Sequence, residues 1–162
     1  MDQENLLEKL LDFLRQHHIR YCVIGGQAVN AYAEPLVSLD LDLVVAVDSI
    51  EELEQQIRSH FVAHRFPHSI NISLPGSALR VQIQTDERYK SFVERAVDRD
   101  VLGVKMPVAA LEDVLQGKIW AVSDPQRRGS KRQKDLADIA RLIEQYPHLK
   151  EQVPPEILDK LL

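Results

Sequence analysis

The chain has 162 residues, 44% apolar and 28% charged, proportions that exclude disorder and fibrous repeats and suit one domain of ordinary size. A net charge of −5 argues against general coating of nucleic acid, and a lone cysteine, Cys22, allows neither an internal disulfide nor a cysteine-based zinc site. The longest unbroken apolar run, residues 43–47, is far short of the ~20 residues of a membrane span, and the acidic opening Met1-Asp2-Gln3-Glu4 is unlike a signal segment, so a cytoplasmic protein is expected.

Residues 5–18 place Leu6, Leu7, Leu10, Leu11, Phe13 and Leu14 at helical spacing and predict an amphipathic helix. The apolar run Tyr21-Cys22-Val23-Ile24 stops at Gly25-Gly26, the pattern of a buried strand entering a tight turn, and residues 27–33 suit a short helix closed before Pro35. Valine-rich residues 41–47 predict a second buried strand. Asp48-Ser49 caps a helix that has Glu51 and Glu52 in its first turn and runs to about residue 59.

Residues 69–74 and 79–84 alternate around Pro75-Gly76 and predict a hairpin; Asp86 opens a helix to about residue 96, and residues 101–106 predict a final edge strand. Helices over 110–122 and 131–146 and a short one over 154–162 complete the chain. Between the first two lies Gln126 to Lys134, where Arg127, Arg128, Lys131, Arg132 and Lys134 give +5 in nine residues, leaving −10 elsewhere. Such a local reversal suits a particular anion better than polyanions at large. The order of elements implies an α/β or α+β fold, a small mixed β-sheet flanked by helices. Residues 1–109 would form the sheet core and 110–162 a C-terminal helical part, within one domain over 1–162.

Chemistry concentrates at Ser38-Leu39-Asp40-Leu41-Asp42. On a strand, residues two apart share a face, so Asp40 and Asp42 project together. Two carboxylates about 5 Å apart repel by roughly 3 kcal/mol at an effective dielectric near 20, so a cation is expected between them, and hard divalent ions favour such oxygens. Gly25-Gly26, between strand and helix, lets backbone amides approach an anion. On the 110–122 helix, Lys118 falls within the stripe of Leu111, Val114, Leu115 and Val122, where it must snorkel out or find an acid; Asp135 likewise falls on the apolar face of the next helix, and a buried pair of the two would be structural.

Gly25-Gly26, thirteen intervening residues, then Asp40-Leu41-Asp42 resemble the signature of the polymerase-β-like nucleotidyltransferase superfamily. The string Ile24-Gly-Gly-Gln-Ala-Val-Asn-Ala-Tyr32 is similar to the branch holding abortive-infection type IV toxin nucleotidyltransferases. The resemblance implies a nucleotidyltransferase fold, a nucleoside triphosphate donor, and Mg²⁺ held by Asp40 and Asp42. It further implies that Gly25, Gly26 and Ser38 contact phosphates and that Lys118 with Lys134 or Arg128 neutralises the rest. Lys118 and Lys134-Asp135 match in order the lysine and aspartate motifs that line the nucleotide cleft of that branch. Asp40, Asp42 and Lys118 are thereby expected to be catalytic, and Gly25, Gly26, Ser38, Lys118, Arg128, Lys134 and Asp135 to bind the nucleotide. A third metal-binding carboxylate belongs on the 79–86 strand, but Gln82 and Gln84 stand there, with Asp86 two residues further along.

His60, His64 and His68 recur every four residues, but Pro67 forbids a helix through them and with it a zinc face. His17 and His18 suit the negative end of the first helix. Trp120 points away from the Lys118 stripe and is expected to pack between helices or to stack a base, and Cys22 is expected to be an inert core residue. The leading expectation is transfer of a nucleotidyl group to an unnamed acceptor. The rivals are a catalytically degenerate module acting through a protein partner, as in a toxin–antitoxin pair, and a nucleic-acid binder working through residues 126–134.

Overall fold

The computed structural model describes residues 3–161; Met1 and Asp2 of the acidic opening and Leu162 of the final helix lie outside the described residues. Seven strands form one mixed sheet in the order β3-β4-β5-β2-β1-β7-β6. They are β1 (Arg20–Ile24), β2 (Asp40–Ala46), β3 (Val62–Phe66), β4 (Ser69–Ser73), β5 (Arg80–Gln84), β6 (Val97–Val101) and β7 (Val104–Val108). Among the described residues six α-helices accompany them: α1 (Gln3–Gln16), α2 (Gly25–Tyr32), α3 (Ile50–Arg58), α4 (Leu111–Ser123), α5 (Gly129–Gln145) and α6 (Pro155–Leu158). The sheet is antiparallel except where β2 runs beside β5 and β1 beside β7.

The two faces of the sheet differ sharply. Leu41, Leu43, Val23, Val81, Ile83, Ile70 and Ile72 alternate onto one face and are almost fully buried. Packing α2, α4 and α5 together, with the aromatic residues Tyr89 and Phe92 against α4, puts those elements on the opposite face. That leaves α1 and α3 to cover the apolar one, with Phe13 of α1 meeting Phe61, in the link from α3 to β3, edge-on at 5.8 Å. Among the described residues no helix is long and apolar enough to cross a membrane.

Three elements depart from the sequence reading. Residues 62–66 form an edge strand that pattern alone did not predict, because only Ala63 in it is buried. The single strand expected at 101–106 is instead the hairpin of β6 and β7, turning at Leu102 and Gly103, both at positive φ. Residues 87–95, expected as an α-helix, form 3₁₀ turns capped by Asp86. A three-residue repeat places Tyr89 and Phe92 one above the other, and both rings then reach the bare backbone of Gly117 on α4. The expected hairpin of 69–74 with 79–84 is present as β4 and β5, and α5 begins two residues earlier than expected.

Candidate active site

Register across the sheet assembles the site. Asp42 on β2 lies opposite Gln82 on β5, Gln82 opposite Asn71 on β4, and Asn71 opposite His64 on β3, so four polar side chains form one row. One step along, Asp40 lies opposite Arg80. Because alternate residues share a face, this polar row backs onto the apolar one, and all six line a cleft of about 510 Å³.

The two acids stand in different surroundings. Asp40 is the outer one, and its Oδ1 accepts from Arg80 Nε at 2.6 Å. Asp42 sits deeper, beside Gly25. Burial pushes its carboxyl above the ordinary range; Lys118 opposes the shift, and Asp40 adds to it. Gly25 has φ +70°, and a Cβ there would collide with Asp42 Oδ2. Glycine is thus needed twice over, for the backbone conformation and for the space the carboxylate fills. Of the two glycines expected at the phosphates, Gly25 adjoins the acid, whereas Gly26, with Lys134 Nζ 3.9 Å from where its Cβ would be, faces the cleft.

Lys118 does have acidic partners. Its Nζ lies 3.0 Å from Asp135 Oδ1 and 2.8 Å from Asp138 Oδ2, all three groups being buried. Burial disfavours the ammonium, yet Asp138 and Asp135 together hold its pKa above the usual lysine value. The chain of charges continues at both ends. Arg127 grips Asp135 with Nε at 2.8 Å and Nη2 at 3.0 Å, and Arg141 donates to Asp138 Oδ1 at 2.8 Å. Arg141 also donates to the backbone oxygen of Glu34, while Asn30 bonds Leu36 in both directions and Gln27 holds the Ser38 carbonyl. The segment leading into β2 is therefore tied to the buried charges, and Ser38 Oγ accepts from the Asp40 amide.

On the cleft's other wall stand Arg128, Lys131 and Lys134, from the start of α5. The site residues expected from sequence thus meet in one cleft, apart from Gly25, which lies on a small cavity of about 80 Å³ shared with Asp42, Gln82 and Arg127. Sequence reasoning missed Arg80 and Asn71 as site residues, and it noted Arg127 only as part of the basic run. No local pattern marks a cross-strand partner, although the repulsion between the two acids called for a cation.

Asp86 does not extend the acid row. The strand ends at Gln84, and Asp86 caps the 3₁₀ segment and pairs with Arg88 at 3.0 Å on a second cleft of about 920 Å³. Trp120, between Phe92 (5.7 Å, stacked), Tyr89 (5.0 Å, edge-on) and the Arg88 guanidinium (4.7 Å), serves interhelix packing. Cys22 is fully buried, and burial pushes its thiol up to about 12, which leaves it unreactive.

Among the described residues no three metal-ligating side chains of the His, Cys, Asp and Glu kinds converge. The donor set in the row still suits a hard divalent ion: two carboxylates, the Gln82 amide, and beside it Asn71, whose Oδ1 is buried without a hydrogen-bond partner.

A family model described as nucleotidyl transferase AbiEii toxin, Type IV TA system, matches residues 25–161. Comparison with curated proteins finds no match. The fold is similar to that of an antigenic nucleotidyltransferase-like protein from Paracoccidioides brasiliensis, at 21% identity and TM-score 0.55 over 88% of this chain and 75% of that one. It is also similar to ANT(2'')-Ia in complex with adenylyl-2''-tobramycin (14% identity, TM-score 0.61, 98% of each chain). A lincosamide antibiotic adenylyltransferase with lincomycin bound gives 12% identity and TM-score 0.53 over 86% of this chain and 97% of that one. At these identities the likeness establishes a nucleotidyltransferase fold.

Proposed function

The chain belongs to the AbiEii nucleotidyl transferase toxin family, and from that premise we propose that it binds a nucleoside triphosphate with Mg²⁺ in the 510 Å³ cleft and transfers a nucleotidyl group. The observation that carries this reading is the pairing of opposites in one cleft: Asp40 and Asp42 on β2 face Arg128, Lys131 and Lys134 from α5. A triphosphate needs cations along its length, and a divalent ion needs hard oxygens.

Asp40 and Asp42 would hold the metal, with Gln82 offering a neutral oxygen where an acid is expected. When bound, Mg²⁺ would neutralise charge on the transferred phosphoryl group. Lys134 beside Gly26, with Lys131 and Arg128, would neutralise the phosphates, and the backbone at Gly26 leaves room for one to approach. Lys118 is committed to Asp135 and Asp138, so its part is to fix Arg127 through Asp135 and to oppose the rise in the Asp42 pKa. Membership of a type IV toxin family further supports an antitoxin partner.

Titration calorimetry with MgATP, MgGTP, MgCTP and MgUTP tests the reading. The parent should bind at least one, and the double variant Asp40→Ala, Asp42→Ala should bind none while keeping its circular dichroism. Equal binding by both proteins would show that the acids do not hold the metal–nucleotide.

A further inference from the structure

Two features of the acid pair are unequal. Asp40 has a guanidinium on it at 2.6 Å, whereas Asp42 has no ion-pair partner within 4 Å among the described residues. The Arg80 Cα stands directly across the parallel ladder from that of Asp40, so the contact follows from register and recurs whenever the strands pair. Beyond its Cα the arginine is loosely held: its side chain is 74% exposed, and Asp40 is its one ion-pair partner among the described residues. It lines the same cleft as Arg128, Lys131 and Lys134, and a side chain so exposed is free to turn about its own bonds.

Resting on the reading above, we propose that Arg80 is the protein's own counter-ion for the metal-binding pair. It holds the cation position on Asp40 while the cleft lacks nucleotide, and turns from Asp40 to the phosphates when metal and triphosphate arrive together. The charge count demands such an exchange. With Gln82 where a third acid would stand, β2 alone supplies the carboxylates, two of them, and Arg80 already neutralises one. A divalent ion arriving alone must displace a guanidinium for a site of low charge. Arriving with a triphosphate, it brings anions on which the displaced guanidinium finds an equivalent partner. The exchange makes metal binding conditional on nucleotide.

The test measures Mn²⁺ binding by the nucleotide-free protein and, separately, affinity for the triphosphate that the parent binds with Mg²⁺. Arg80→Met should tighten Mn²⁺ binding by about tenfold, since a positive charge close to the site is gone, and weaken the triphosphate by about tenfold, since a phosphate partner is lost. Arg80→Lys should restore the weak Mn²⁺ binding of the parent. In the double variant Arg80→Met, Asp40→Asn the gain in Mn²⁺ affinity should vanish.

Opposite signs in the two measurements identify the exchange. A fall in both affinities would reduce Arg80 to a support of the site and overturn the proposal. So would a gain that survives Asp40→Asn. Unchanged Mn²⁺ binding in Arg80→Met, in a protein that takes up Mn²⁺ with triphosphate, would end the counter-ion role and leave the proposed function standing. Failure of every variant to bind Mn²⁺ with or without triphosphate would end both.

Discussion

Asp40 and Asp135 are both aspartates held by an arginine, and their settings are opposite. Asp135 has a side chain only 1% exposed, gripped twice by Arg127 and once by Lys118. Asp40 has a side chain 37% exposed and a single bond from an arginine that is itself mostly in water. Taking an ion out of water costs several kcal/mol, a cost met only by close and complete pairing, so the α4–α5 charges are mutually obligatory. An exposed pair is worth about 0–1 kcal/mol and exchanges freely. The same chemistry thus makes a fastening in one place and an exchangeable contact in the other, and burial decides which.

The contrast breaks most visibly at Lys118. Lys118→Met should cost about 3–5 kcal/mol, because Asp135 and Asp138 are left buried with one arginine each. Denaturant unfolding followed by Trp120 fluorescence reads this directly. A loss below 1 kcal/mol would mean that the network is no more obligatory than Asp40 with Arg80.

A smaller effect should appear with acid. Burial raises the Asp138 pKa, but Lys118 and Arg141 together outweigh it and leave the carboxyl below the usual aspartate value. A group whose folded pKa is depressed contributes its stability above the unfolded value, about 4, and loses it as pH falls through the folded one. Stability should therefore drop on acidification below about pH 4. Asp138→Asn should be less stable at neutral pH and show a shallower decline over that window. Parallel declines in parent and variant would remove Asp138 as the source.

The smallest effect is expected at the exposed pair. Asp40→Asn should change unfolding free energy by less than about 1 kcal/mol. A change of 3 kcal/mol would place Asp40 in the same class as Asp135 and erase the distinction.

Much of this was legible in the sequence wherever the information is local. Asp40 and Asp42 two apart in a strand, and Lys118 and Asp135 each on the apolar face of its own helix, follow from periodicity alone. What could not be read depends on which strand lies beside which. Arg80 meets Asp40, and Asn71 meets Gln82, through pairings that no window of residues encodes. The edge strands β3 and β6 escaped because a strand with one neighbour carries little apolar alternation: one residue is buried in Val62–Phe66 and one in Val97–Val101. Asp138 is as buried as Asp135 because Lys118 and Arg141 approach it from two sides.

The order of strands also governs how the chain can be built. β3 and β4 close on each other within a few residues, as do β6 and β7, so these hairpins can form as soon as they are made. β1 cannot complete its pairing so soon, because Val23 takes Val108 as its partner on β7. During synthesis from the N-terminus one side of β1, an interior strand of the finished sheet, remains open until β7 has emerged. An open strand lined by Cys22, Val23 and Ile24 invites wrong pairing, so the slow and error-prone step of folding should be the docking of the β6–β7 hairpin.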